Sequence, residues 1–195
     1  LLNRCMPRYA EIKDLQGNYG PLNDLVKKER SSKDLFFVIG PPGSGKTSFA
    51  LRYMVEEELR NNTPHLLLMA YTNRAVDELC GMLDRICREN PELLTDYLRI
   101  GSMLTADECY HRRFLKERCG CIKNTEELRS LLSDTKIYVG TTSSISMQAE
   151  LLRNIHFSVA FIDEASQILE PQMLGLLFAR QSENGIPHDS IERFV

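Results

Sequence analysis

The sequence predicts an α/β domain: a mostly parallel sheet with helices on both faces and a small helical insertion. Short apolar runs at residues 35–39, 65–70, 136–140 and 157–162 alternate with segments whose apolar residues recur at helical spacing. That βαβ rhythm requires crossover connections and therefore parallel strands. The runs are continuous rather than alternating, which suits strands buried on both faces. With 195 residues and 43% hydrophobic content, the chain is long enough for one well-buried domain.

Taken in order, residues 1–34 form a polar lead-in. A turn at Gly17-Asn18-Tyr19-Gly20-Pro21 precedes a short helix carrying Leu22, Leu25 and Val26. Residues 35–195 make up the main domain. Its first strand, 35–39, runs into a glycine-rich turn, and a helix follows from Lys46 to about Arg60, with Phe49, Ala50, Tyr53 and Met54 on its apolar side. Asn61-Asn62-Thr63-Pro64 stops it. A second unit has a strand at 65–70, a turn at Tyr71-Thr72-Asn73, and a helix with Val76, Leu79, Cys80, Leu83 and Cys87 on one face. After a short strand at 97–101, residues 102–135 leave the rhythm and read as an insertion with helices near 106–118 and 125–133. A strand at 136–140, a hydroxyl-rich turn at Thr141 to Ser144, a helix at 147–153 and a strand at 157–162 follow; residues 191–195 begin another strand.

The balance of 24 Lys and Arg against 27 Asp and Glu leaves a net charge of −3, so any surface for a polyanion must be local. No apolar run approaches the roughly 18 to 20 residues that cross a bilayer, and residues 1–8 lack the features of a signal peptide. A cytoplasmic protein without a membrane partner is the expectation. Cys5, Cys80, Cys87, Cys109, Cys119 and Cys121 show no paired spacing, which suits reduced thiols. Cys109, His111, Cys119 and Cys121 are zinc-ligand types, but their one-residue gaps do not fit the usual ligand spacing.

Gly40-Pro41-Pro42-Gly43-Ser44-Gly45-Lys46-Thr47 fits the phosphate-loop pattern G-x-x-x-x-G-K-[ST], between a strand and a helix as its mechanism demands. Glycines let backbone N–H groups turn inward toward phosphate oxygens, and the helix start, including Ser48, adds partial positive charge. ATP is the expected ligand, with Lys46 at the β- and γ-phosphates and Thr47 on Mg²⁺. Asp163 and Glu164 end the strand 157–162, at the sheet edge where open α/β folds bind ligands. Asp163 is placed to share the Mg²⁺ with Thr47, Glu164 to orient or deprotonate the attacking water, and Gln167 to sense the γ-phosphate or position water.

The stretches GPPGSGKT (40–47), AYTNRAVDEL (70–79), GTTSS (140–144) and IDEASQ (162–167) occur in the order seen in superfamily 1 helicases. Residues 35–180 thus resemble the first RecA-like, P-loop NTPase domain of that superfamily, and DEASQ resembles its 5′-to-3′ branch. The resemblance implies single-stranded nucleic acid as partner, DNA favoured over RNA, with Thr72, Asn73, Thr141 and Thr142 on its sugar-phosphate backbone. Helix capping by Thr72 and Asn73, and a plain polar turn at Thr141 to Ser144, are the competing readings.

The sequence departs from the family in three places. Ser44 stands where Thr is common; Leu22-Asn23-Asp24-Leu25 lacks the adenine-contacting Gln, leaving Gln16 or a residue ahead of this sequence; and no Gly-Asp-x-x-Gln motif follows residue 180. The second RecA-like domain, with its arginine finger, is also missing, so these residues alone are expected to bind nucleotide with little turnover. The insertion mixes His111, Arg112, Arg113, Lys116, Arg118 and Lys123 with Tyr110 and Phe114, as either a strand-contacting patch or a solvated helix face. A nucleotide-dependent switch without unwinding, and a helicase that remodels RNA, are the rival functional readings.

Overall fold

The computed structural model describes residues 8–10, 14–41, 43–120, 122–183 and 186–195, excluding the side chains of residues 149, 150, 182, 183, 186 and 187. Pro42, Cys5 and Cys121 lie outside the described residues.

Helix α1 (Asn23–Ser31) follows the turn at Gly20–Leu22. A widened turn, Lys46–Leu51, leads from the glycine loop into α2 (Arg52–Arg60). β1 (Leu66–Ala70), α3 (Asn73–Glu89) and β2 (Leu98–Ile100) come next, then α4 (Leu115–Cys119), α5 (Thr125–Asp134) and β3 (Ile137–Thr141). The chain continues through α6 (Thr142–Met147), α7 (Ala149–Asn154), β4 (Val159–Asp163) and α8 (Glu170–Leu177), and adds a hairpin of β5 (Arg180–Glu183) and β6 (Ile186–Asp189). The expected α/β fold is present: a parallel sheet in the order β2-β3-β1-β4 with helices packed on it.

β1 is fully buried because it uses both faces. Leu66, Leu68 and Ala70 join Met54, Val55, Leu59, Val76, Leu79, Leu83 and Ile86 in one core, beneath α2 and α3. Leu67 and Met69 point the other way, among Ile145, Leu151, Leu152, Leu176 and Phe194 from α6, α7, α8 and the chain's last segment. Among the described residues no helix is long and apolar enough to cross a membrane.

Three expectations need correction. Residues 35–39 do not form a strand buried on both faces. Leu35 makes a single parallel bridge to Phe194, while Phe37 is 73% and Ile39 is 95% exposed. Phe36 N donates to Phe194 O of a facing segment, and among the described residues no strand pairing includes Phe37 to Ile39. That facing segment is the strand expected at 191–195: Ile162 N donates to Val195 O and Val195 N donates to Ala160 O, extending the sheet beyond β4.

The helix expected near 106–118 is broken into a short turn at Glu108–Arg113 and α4. Phe114 is extended between them and bridges to Arg99 of β2, where its ring is buried. Docking Phe114 on the sheet outweighs helix continuity. The third correction concerns Thr141 to Ser144, which are no free turn: Thr141 caps α6, accepting from Ser144 N at 3.1 Å.

Candidate functional site

The glycine loop has the backbone that its sequence demands. Gly43 and Gly45 take φ of +75° and +80°, a region costly for side-chain-bearing residues. At Gly45 a Cβ would come within 2.7 Å of the Phe49 ring, and at Gly40 within 2.9 Å of Ser44 Oγ. Ser44 N donates to Pro41 O at 3.3 Å, closing the turn, and Lys46 Nζ reaches back to Gly40 O at 2.6 Å and Pro41 O at 3.0 Å. The helix starts wide, with Ala50 N pointing to Gly45 O, so the first turn opens around the loop. Ser48 is exposed on that turn.

The second half of the site comes from β4. Register places Asp163 opposite Ala70 at the carboxyl end of the sheet, and Thr47 Oγ1 donates to Asp163 Oδ2 at 2.7 Å. Asp163 Oδ1 accepts from Glu164 N at 3.0 Å. Glu164 is left-handed, with φ of +54°, and its Oε2 accepts from Gln167 Nε2 at 2.9 Å. A non-glycine residue held there carries strain of the kind found at functional sites. Thr47, Asp163, Glu164 and Gln167 are thus linked by hydrogen bonds, while Lys46, next to Thr47 in the chain, is held by the loop carbonyls of Gly40 and Pro41.

The residue types fit an anionic polyphosphate with a hard divalent cation. A Cβ at Gly40 or Gly45 would crowd the Ser44 or Phe49 side chain, Lys46 supplies a point charge, and a hydroxyl and a carboxylate meet where oxygen ligands are needed. Among the described residues no group of three or more His, Cys, Asp or Glu forms a metal cluster, and Cys80, Cys87, Cys109 and Cys119 are free thiols. Burial pushes the Cys80 thiol up to about 12, so it is inert.

A family model described as an AAA domain matches residues 22–118. Over 158 residues the chain is 34% identical to the DNA replication ATP-dependent helicase/nuclease JHS1 of Arabidopsis thaliana, covering 79% of this chain and 11% of that protein. It is 28% identical over 166 residues to the DNA replication ATP-dependent helicase/nuclease DNA2 of Bos taurus and 26% over 168 residues to that of Homo sapiens; each match covers 84% of this chain and 15% of the relative. The chain belongs to superfamily 1 of the helicases. It is an N-terminal ATP-binding domain of that superfamily, and membership implies use of ATP with a divalent metal ion. The chain spans about a tenth to a seventh of the length of these relatives.

In this superfamily 1 domain, the other expected contacts lie along the same sheet edge. Thr72 caps α3, accepting from Ala75 N at 3.1 Å, and Asn73 Nδ2 donates to Thr105 Oγ1 of the insertion at 2.8 Å. Capping by Thr72 therefore occurs, and its exposed position leaves it on the surface. Thr141 caps α6 and is 7% exposed; Thr142 is fully buried, and its Oγ1 has no hydrogen-bond partner. Gln16 stands apart from this edge by backbone pairing: Gln16 N, Gly17 N and Tyr19 Oη all donate to Glu57 of α2.

Part of the insertion's basic and aromatic set is engaged inside the domain, while Arg112, Lys116 and Lys123 are exposed. Arg99 is 1% exposed, paired with Asp77 of α3 and lying 5.0 Å from the Phe114 ring centroid and 5.7 Å from that of Tyr110. Arg113 pairs with Asp84 and Asp96 and stacks on Tyr97 at 4.5 Å, and Arg118 pairs with Asp96. Sequence reading missed this cluster; the signal was an arginine in the middle of the apolar strand Leu98–Ile100.

Proposed function

We propose that the chain is the ATP-binding motor domain of a helicase or translocase that couples ATP hydrolysis to movement on single-stranded DNA. The observation that carries this reading is the joining of Thr47 and Asp163 beside a glycine cradle and Lys46. Relatives named for DNA replication support DNA over RNA. Residues 35–195 form a first RecA-like domain, led in by residues 1–34 and carrying an insertion near 102–135. A second such domain of the same protein supplies the arginine finger, without which hydrolysis is slow. The four free thiols among the described residues suit a reducing compartment, nuclear or cytoplasmic.

Residues 40–48 bind the triphosphate, with Lys46 against the β- and γ-phosphates. Thr47 and Asp163 hold Mg²⁺, which when bound neutralises charge developing on the transferred phosphoryl group. Glu164 orients the attacking water and takes its proton, and Gln167 holds the Glu164 carboxylate in place. Thr72 and Asn73, with Thr141 and Thr142 once α6 moves to uncover them, form the track that grips the sugar-phosphate backbone without reading bases.

The test is steady-state ATP hydrolysis by the intact protein containing this chain, with no nucleic acid, single-stranded DNA or single-stranded RNA, and with Lys46→Ala as the blank. Stimulation by DNA that Lys46→Ala abolishes supports the reading. Stimulation by RNA alone reassigns the track, and a wild type that neither strand stimulates overturns the motor.

A further inference from the structure

Two helices leave the ligand-bearing edge of the sheet side by side. α6 starts at Thr142, directly after the cap Thr141, and α8 starts at Glu170, joined to Gln167 by the extended residues Ile168 and Leu169. One helix therefore grows out of the proposed track and the other out of the acidic arm of the nucleotide site. They pack together, and Gln172 Nε2 of α8 donates to Ser143 Oγ of α6 at 3.3 Å.

This contact is under-satisfied. Among the described residues Gln172 Oε1 is buried with no hydrogen-bond partner, as are Thr142 Oγ1 and Ser146 Oγ on α6. Buried polar atoms are nearly always paired, so these orphans leave the side-chain hydrogen bonding between the two helices incomplete. Thr142, fully buried as it stands, reaches a nucleic-acid backbone only if α6 moves.

We propose that Gln172 is a positioning residue that links the single-strand track to the Asp163–Glu164–Gln167 arm of the nucleotide site through its hydrogen bond to Ser143. The link rests on the motor reading above. Strand binding shifts α6, Gln172 carries the shift into α8, and the acidic arm ahead of α8 is reset. Because binding linkage is reciprocal, nucleotide changes strand affinity through the same bond.

The experiment measures the Kd of the intact protein for a labelled oligothymidylate by fluorescence anisotropy, with and without a non-hydrolysable ATP analogue and Mg²⁺. The ratio of the two Kd values reports coupling. Gln172→Met keeps side-chain length without the hydrogen bond, Ser143→Ala removes the partner, and Gln172→Glu retains an acceptor for the Ser143 hydroxyl. Both losses are expected to move the ratio toward one by roughly three- to tenfold, with affinity for the analogue alone unchanged and Gln172→Glu close to wild type. Should Gln172→Met fail to fold, Ser143→Ala decides. A wild-type ratio in a folded Gln172→Met or Ser143→Ala variant overturns the link alone, as does a wild type that binds DNA with a ratio of one. A wild type that neither binds DNA nor hydrolyses ATP faster with it overturns both the link and the motor reading.

Discussion

Thr47 and Asp163 lie 116 residues apart and share a 2.7 Å hydrogen bond. One ends the glycine loop and the other ends β4, so the bond closes the site only if the sheet register is right. Thr47→Ala and Asp163→Asn should each lower ATP turnover by at least about 10- to 100-fold, the range seen when a metal site loses even an outer partner. The double variant should cost little more than the worse single change, because both remove the same Mg²⁺ site. Additive losses in steady-state hydrolysis would contradict a shared role.

Glu164 combines an exposed carboxylate with a left-handed backbone. Glu164→Gln should slow hydrolysis by about 10²- to 10⁴-fold, the usual contribution of a positioned base, while equilibrium binding of a fluorescent ATP analogue persists. Glu164→Gly should be equally slow yet more resistant to urea by up to about 1 kcal/mol, since glycine takes this φ without strain. An active Glu164→Gln variant would remove Glu164 from the chemistry.

What was legible in the sequence was local or set by period. The loop glycines announce their positive φ, and the apolar run before Asp163 puts that carboxylate at a strand end whatever its neighbours are. What was not legible depended on partners distant in the chain. Residues 35–39 look like a buried strand, but pairing needs a facing backbone, and Phe194 meets this segment only at Asp34 to Phe36. Residues 106–118 look like one helix, yet Phe114 is drawn out to cover Arg99. Gln172 and Ser143 carry no periodic signal, and their contact exists only because α6 and α8 dock.

Arg99 is the clearest case of chemistry that the fold hides. It is almost fully buried, paired with Asp77, and sandwiched near Phe114 and Tyr110, so it fastens the insertion to α3. Arg99→Ala should destabilise the domain by about 3 kcal/mol, the lower end of the cost of breaking a buried pair, because Asp77 retains some solvent. Arg99→Lys should recover little, since an ammonium lacks the planar fork that pairs and stacks at once. Urea denaturation of the purified variants reads both, and a loss below about 1 kcal/mol for Arg99→Ala would show that the cluster adds little beyond packing.

Stability should also fall as pH rises through neutrality, for a reason that lies behind the nucleotide site. Glu29 of α1 is fully buried, and burial pushes its carboxyl up to about 8 against the opposing pull of Arg193 and Arg30, with the Glu58 carboxylate adding to the rise. Arg193 Nη1 donates to Glu29 Oε1 at 2.6 Å and Arg193 Nη2 to Glu58 Oε1 at 2.7 Å, while Arg30 pairs with Glu58 at 2.9 Å. Between the ordinary carboxylate range and about 8, the folded protein holds a proton at Glu29 that the unfolded chain has released. Unfolding then loses a proton, so the stabilisation is fully present at low pH and fades as pH climbs through that folded value. Glu29→Gln keeps an acceptor for Arg193 and cannot ionise, so its unfolding free energy should change less across a urea series from about pH 6 to about pH 9. Equal slopes for the wild type and Glu29→Gln would mean that Glu29 is already ionised in the folded state, held so by Arg193.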